Sequence, residues 1–189
     1  MSLAQPAYPR KRAPTAVGHA GRVRHLELGG PVPPGKRVVR REAAKAVVER
    51  EGRLLLLLTP RTGDHKLPGG GVQTGETHEQ TLDRELQEET GRALARLGPA
   101  VLHVVERRAD AHDADAVFEM ASTYYRAEVS DDVGRTRLDD YERELGLIPV
   151  WTTPAAALAA HEVLLASGTA PPWTARETQV LRLLLAGEL

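Results

Sequence analysis

Five consecutive leucines, Leu54 to Leu58, constrain the fold of this chain more than any other segment. A membrane-crossing helix needs about 20 apolar residues, so a run this short points instead to a core strand. Ala46-Val47-Val48 precede it across Glu51-Gly52, and the two runs read as a hairpin entering the core. With 189 residues, about one domain is expected, with room for an appended arm.

The remaining elements are punctuated locally. Leu67-Pro68-Gly69-Gly70-Gly71 breaks the chain, and Thr77 with Gln80 three residues on forms a capping box for a helix that Gly91 stops. Leu94 to Arg107 and Val117 to Val129 read as strands joined by the polar loop Arg108 to Ala116. Thr153-Pro154 opens a second helix. Thr174 with Glu177 reads as a further capping box, opening a C-terminal helix with the apolar stripe Val180, Leu181, Leu184 and Leu185. Strands and helices in mixed order predict a sheet covered by helices on both sides.

Charge divides the chain unevenly. Residues 1–41 hold nine Lys/Arg and one acid, whereas residues 42–189 hold 16 basic and 25 acidic side chains. Six of the 13 prolines fall in the first 39 residues, around the cluster Arg10-Lys11-Arg12. The expectation is a basic, Pro/Arg-rich arm over residues 1–39, contributing at most an edge strand at Val23 to Leu28, and a catalytic domain over residues 40–189. The arm is a tail or a nucleic-acid contact. No cysteine is present, so disulfides, thiolate metal sites and cysteine nucleophiles are excluded. With neither a spanning segment nor a secretory signal, a cytoplasmic protein without membrane contact is expected.

The chemistry concentrates on the helix between Thr77 and Gly91. Glu85, Glu88 and Glu89 share one face, because positions i, i+3 and i+4 fall within about 100° of helix circumference. Three like charges there destabilise a bare helix, and a hard divalent cation would neutralise them. Carboxylate oxygens suit magnesium, or manganese in its place. Leu82 and Leu86 lie beside that face and would dock the helix on the sheet. Arg84 is placed to pair with Glu88 or Glu76 and fix a rotamer.

The full pattern Gly70-x5-Glu76-x7-Arg84-Glu85-Leu86-x-Glu88-Glu89-x-Gly91 resembles the Nudix box, the signature of the Nudix hydrolases. It runs from Gly70 to Arg92, where the family prefers an aliphatic residue; Leu94 is placed to take over that contact. Outside the box, Tyr124-Tyr125, Asp140-Tyr141-Glu142, Pro149-Val150-Trp151 and Trp173-x-x-Arg176-Glu177 resemble a bacterial subgroup of that family. The resemblance implies an α/β/α sandwich with a mixed sheet, and hydrolysis of a nucleoside diphosphate linked to another moiety X. It also implies the Gly70 carbonyl as a metal ligand. Glu88 and Glu89 are then the primary ligands and Glu85 a third ligand or the general base. Arg84 orients Glu85, and Glu76 is an accessory ligand.

Other features have blander readings. His78-Glu79 and His161-Glu162 each begin like a zinc HExxH but lack the second histidine. Asp110 to Asp115 lacks the glycine and glutamate of a calcium loop and reads as solvated, with assistance to catalysis by one of its acids or His112 as the alternative. Tyr124, Tyr125, Trp151 and Trp173 read as core, with stacking on a nucleobase as the alternative. Two further functions stay open at this point: a nucleotide-sensing or nucleic-acid-binding module without turnover, and an RNA 5′-end pyrophosphohydrolase that uses the basic arm. The substrate-binding residues are not legible.

Overall fold

The computed structural model describes residues 23–189. Its strands are β1 (Arg24–Leu28), β2 (Arg37–Arg50), β3 (Arg53–Leu58), β4 (His65–Lys66), β5 (Leu94–Ala109), β6 (Ala116–Val129) and β7 (Ile148–Thr152). The helices are α1 (His78–Thr90), α2 (Asp140–Leu145), α3 (Pro154–Ser167) and α4 (Thr174–Leu185). They form the expected layers, a seven-stranded mixed sheet ordered β1-β5-β6-β2-β3-β4, with β7 also paired to β3. β1 runs parallel to β5 and β2 parallel to β6, while β5 and β6 pair antiparallel.

The leucine run is β3, and its alternation splits it between two cores. Leu54 and Leu56 pack with Val47, Leu102, Val104 and Tyr124 against Ala157 of α3 and Val180 and Leu181 of α4. Leu55 packs with Ala44, Ala46 and Val48 against Leu82 and Leu86 of α1. The central strands are therefore covered on both faces, and each fully buried leucine contributes about 1.5–3 kcal/mol. Glu51 and Gly52, both at positive φ (50° and 72°), make the two-residue turn between β2 and β3. Among the described residues, no helix is long and apolar enough to cross a membrane.

Local punctuation is realised at α1, where Thr77 and Gln80 form a capping box and Gly91 closes the helix at φ 71°. At α4 the expectation fails. Trp173 takes the cap position with no side-chain bond, and Thr174 already lies inside the helix with its hydroxyl buried and unpartnered. Glu177 is drawn instead to the Leu67 amide (3.2 Å) and to Arg176, because a buried carboxylate gains more from an amide and a guanidinium than from a cap. Leu185, expected in the apolar stripe, stays 46% exposed.

In the N-terminal stretch, β1 lies where the sequence allowed an edge strand, at Val23 to Leu28. β1 extends the sheet beside β5, its Glu27 bonded to Arg107 (2.8 Å), and Leu26 and Leu28 reach the first core. β2 begins at Arg37. Arg24 pairs with Glu188, Lys36 with Asp115, Arg37 with Asp113 and Arg40 with Glu119. Much of the basic excess is thus answered by acids of the body. Arg10, Lys11, Arg12 and Arg22 lie outside the described residues.

Candidate active site

The Gly69–Gly71 turn and α1 are built against each other. Gly69 sits at φ 120°, and a Cβ there would lie 2.2 Å from the Ala44 carbonyl. A Cβ on Gly70 would lie 2.3 Å from Glu85 Oε1, so only glycine lets the backbone approach that carboxylate. The Gly70 carbonyl accepts from the Ala44 amide (3.1 Å), which leaves its second lone pair for another partner.

Arg84 is the hub of the polar contacts. It binds Glu76 through Nε (2.8 Å) and Nη2 (2.9 Å), Glu85 through Nη1 (2.7 Å), and the Gly71 carbonyl through Nη2 (3.2 Å). Its approach to Glu88 is longer, at 3.3 Å. The expected choice between Glu76 and Glu88 is resolved chiefly towards Glu76, whose carboxyl is held down to about 2, mainly by the bonds from Arg84. Leu82 and Leu86 are fully buried and hold this face of α1 in place.

Behind the hub Glu89 and Lys45 are buried on opposite polar groups of Gly69, and Lys45 was not among the residues the sequence singled out. Glu89 is 1% exposed, accepts from the Gly69 amide (2.6 Å), and is pushed up to about 8 by burial, with Lys45 acting in the opposite direction. Burial lowers the Lys45 ammonium, which donates to the Gly69 carbonyl and to that of Leu67. Burial also raises Glu85, opposed by Arg84.

One carboxylate joins these from another element. Oxygens of Glu85, Glu89 and Glu142 lie within 4.8 Å of one another, Glu142 coming from α2. Glu142 also closes the capping box of α2 by accepting from the Asp139 amide (3.0 Å). Glu88 lines the same cleft, of about 790 Å³, with Arg41, Gly70, Gly71, Glu85 and Glu142. Sequence periodicity found the three helix glutamates but not Glu142, which tertiary packing brings in. The capping box Asp139-x-x-Glu142 was the available local signal.

The other candidates take structural places. Asp113 pairs with Arg37, Asp115 with Lys36, and Asp110 accepts from the His112 and Asp113 amides; none of these acids lines the cleft. Tyr124 is wholly buried in the first core, and Tyr125 and Trp151 pack against the second. Trp173 is half-buried, bonded through Nε1 to Asp64 (2.7 Å). Arg92 binds the Ser130 and Asp131 carbonyls, and Leu94 supplies the apolar contact on the second core.

The model of the NUDIX domain family matches residues 39–171 of this chain. The chain belongs to the Nudix family. Similar solved structures include a NUDIX hydrolase from Nitrosomonas europaea, 22% identical, with a TM-score of 0.51, covering 79% of this chain and 91% of that one. A MutT NUDIX hydrolase from Burkholderia pseudomallei is 26% identical, with a TM-score of 0.45, covering 62% of this chain and 85% of that one. No curated protein matches. The Nudix box thus occupies the turn from Gly70 and the whole of α1, the segment that carries Arg84 and the helix glutamates.

Proposed function

We propose that this Nudix protein is a metal-dependent hydrolase that cleaves a nucleoside diphosphate linked to a further group X. The supporting observation is the convergence of Glu85, Glu89 and Glu142 within 4.8 Å, with Glu85 and Glu142 lining a cleft together with Arg41 and Arg84 and Glu89 buried behind them. Three carboxyl groups at that spacing make a hard oxygen donor set that fits magnesium or manganese.

Glu85, Glu89 and Glu142 would hold the cation, with Glu88 at the edge of the cleft and the Gly70 carbonyl completing the donors. When bound, it neutralises diphosphate charge and makes a water more acidic. Arg84 fixes Glu85 through Oε1, and Glu76 fixes Arg84 from the other side, so the reacting carboxylate is positioned before substrate arrives. Arg41 offers a cation to phosphate oxygens from β2. Glu85 is either one of these ligands or the base that accepts the proton of the attacking water.

A panel of nucleoside triphosphates, nucleotide sugars, dinucleoside polyphosphates and capped RNA, with and without chelator, tests this reading. Magnesium or manganese should be required, and Glu85→Gln or Glu89→Gln should lower kcat by about 100-fold or more, whereas Asp113→Asn should not. Full turnover in excess chelator would end it.

A further inference from the structure

The segment that leads into the glycine turn is held along one edge by side chains from three helices. The amides of His65, Leu67 and Gly69 alternate along it, and each donates to a buried acceptor: His65 to His161 Nε2 of α3 (2.9 Å), Leu67 to Glu177 Oε2 of α4 (3.2 Å) and Gly69 to Glu89 Oε2 of α1 (2.6 Å). On the opposite edge, His65 and Lys66 pair with Leu58 and Leu57 of β3. Gly70 follows at once, with its backbone against the Glu85 carboxylate. The state of the His161 ring is set by its second partner. Thr178 spends its hydroxyl proton on the Thr174 carbonyl (2.7 Å), so it accepts from His161 Nδ1 (3.2 Å). The ring therefore carries its proton on Nδ1 and keeps a lone pair on Nε2 for the His65 amide.

Resting on the hydrolase reading above, we infer that His161 is a positioning residue of the reaction: its neutral imidazole tethers the strand that ends in the glycine turn, and a proton on Nε2 releases that tether. A charged imidazole has a donor at both nitrogens and no acceptor, so protonation removes the His65 bond outright and sets two buried N–H groups against each other. The groups facing the ring are His65 of β4, with ring centroids 6.1 Å apart, Asp64 just before it, and Glu177 and Thr178 of α4. Burial holds the imidazole below its ordinary 6.5, while Glu177 and Asp64 act in the opposite direction. The tether is thus whole above about pH 6.5 and fails on the acid side of that value. Four residues, Lys66 to Gly69, separate the tethered amide from Gly70, and the close fit of Gly70 to Glu85 passes a shift of the strand to the carboxylate.

Two substitutions in the full chain separate the acceptor from the bulk of the ring. His161→Gln offers an amide oxygen to the His65 N–H and does not titrate, whereas His161→Leu fills the space with no acceptor. With magnesium and a nucleoside diphosphate derivative that the wild type turns over, His161→Leu should lower kcat by about tenfold or more and change KM by less than about threefold. His161→Gln should keep kcat within about threefold near pH 8 and lose less of it than wild type between about pH 7 and 5. Amide hydrogen exchange gives a readout free of turnover: His161→Leu should speed exchange at His65 and at Gly69 by about tenfold or more, and His161→Gln should restore protection. Should His161→Leu not fold, protection at Gly69, corrected for intrinsic exchange, should fall about threefold or more in wild type between about pH 7.5 and 5 and stay level in His161→Gln. Wild-type kcat in His161→Leu, Gly69 exchange indifferent to His161, or the same acid loss in His161→Gln as in wild type would overturn the inference and leave the hydrolase reading standing. Absence of turnover by the wild type, with Gly69 exchange still governed by His161, would overturn the hydrolase reading and the part of His161 in it while leaving the tether.

Discussion

Glu142 on α2 and Glu85 on α1 bring carboxylate oxygens within 4.8 Å of each other. Without a cation this approach is repulsive, and a cation binding only the folded state stabilises by mass action. Magnesium should therefore raise the Tm of the full chain. Glu142→Gln, which keeps an acceptor for the Asp139 amide, should melt no lower than wild type in chelator and gain less from magnesium. A clearly lower Tm in chelator would show that Glu142 serves the fold first. Differential scanning calorimetry reads both.

The Glu76–Arg84 pair makes an acid-side prediction. Glu76 lies at about 2 in the folded chain against an ordinary 4.5, so it binds fewer protons folded than unfolded. Its contribution is complete above about pH 4.5 and is lost as pH falls towards 2. Glu76→Gln should lower stability near neutrality and flatten the loss between those values, as measured by urea unfolding in chelator. An unchanged acid slope would mean that Arg84 gains nothing from the charge.

Gly70→Ala places a methyl 2.3 Å from Glu85 Oε1. The side chain must move by about an ångström, and misplacement on that scale costs roughly 100-fold in rate. Steady-state kinetics should show that loss mainly in kcat. Wild-type turnover would mean that the position of Glu85 does not govern the reaction.

Deletion separates the two parts of the N-terminal stretch. Removing residues 1–22 should change kcat/KM for a small nucleotide by less than about threefold, since salt screens the change in charge. Removing residues 1–36 takes away β1, the packing of Leu26 and Leu28 and the Glu27–Arg107 bond, and should lower Tm by about 4 °C or more. If residues 1–22 contact nucleic acid, the full chain should retain RNA at low salt and release it steeply as salt rises, and the shorter deletion should not retain it. Equal Tm for the two deletions would make β1 dispensable.

The helix caps give a control on local reading. Thr77→Ala breaks a capping bond and should cost about 1 kcal/mol. Thr174→Val replaces a buried hydroxyl that has no partner, and should leave stability unchanged or raise it. Chemical denaturation of the two variants would reverse this order if the C-terminal helix were capped by Thr174.

These contrasts show where the sequence was readable. Thr77, Gln80 and Gly91 act within one helix, so their spacing alone sufficed; the five leucines of β3 needed only a strand period. Glu85, Glu88 and Glu89 were readable for the same reason, as the i, i+3 and i+4 positions of one helix face. Glu142 and Lys45 were not, because α2 and β2 meet α1 only through tertiary packing. Thr174 and Glu177 repeated a valid local pattern, but the Leu67 amide and Arg176, distant or differently engaged, claimed the carboxylate. The strand at Val23 to Leu28 looked too polar for a core element, and its place at the sheet edge explains that polarity.

The short α2 has a consequence for how such a protein changes over generations. Tyr141 and Glu142 are neighbours on one turn, so a single-residue insertion within α2 ahead of them would swing both by about 100° at once. The Glu142 carboxylate would then leave Glu85 and Glu89, whereas substitution of the tyrosine alone leaves it in place. Change on α2 is thereby channelled into side-chain replacement and away from changes in the length of the helix.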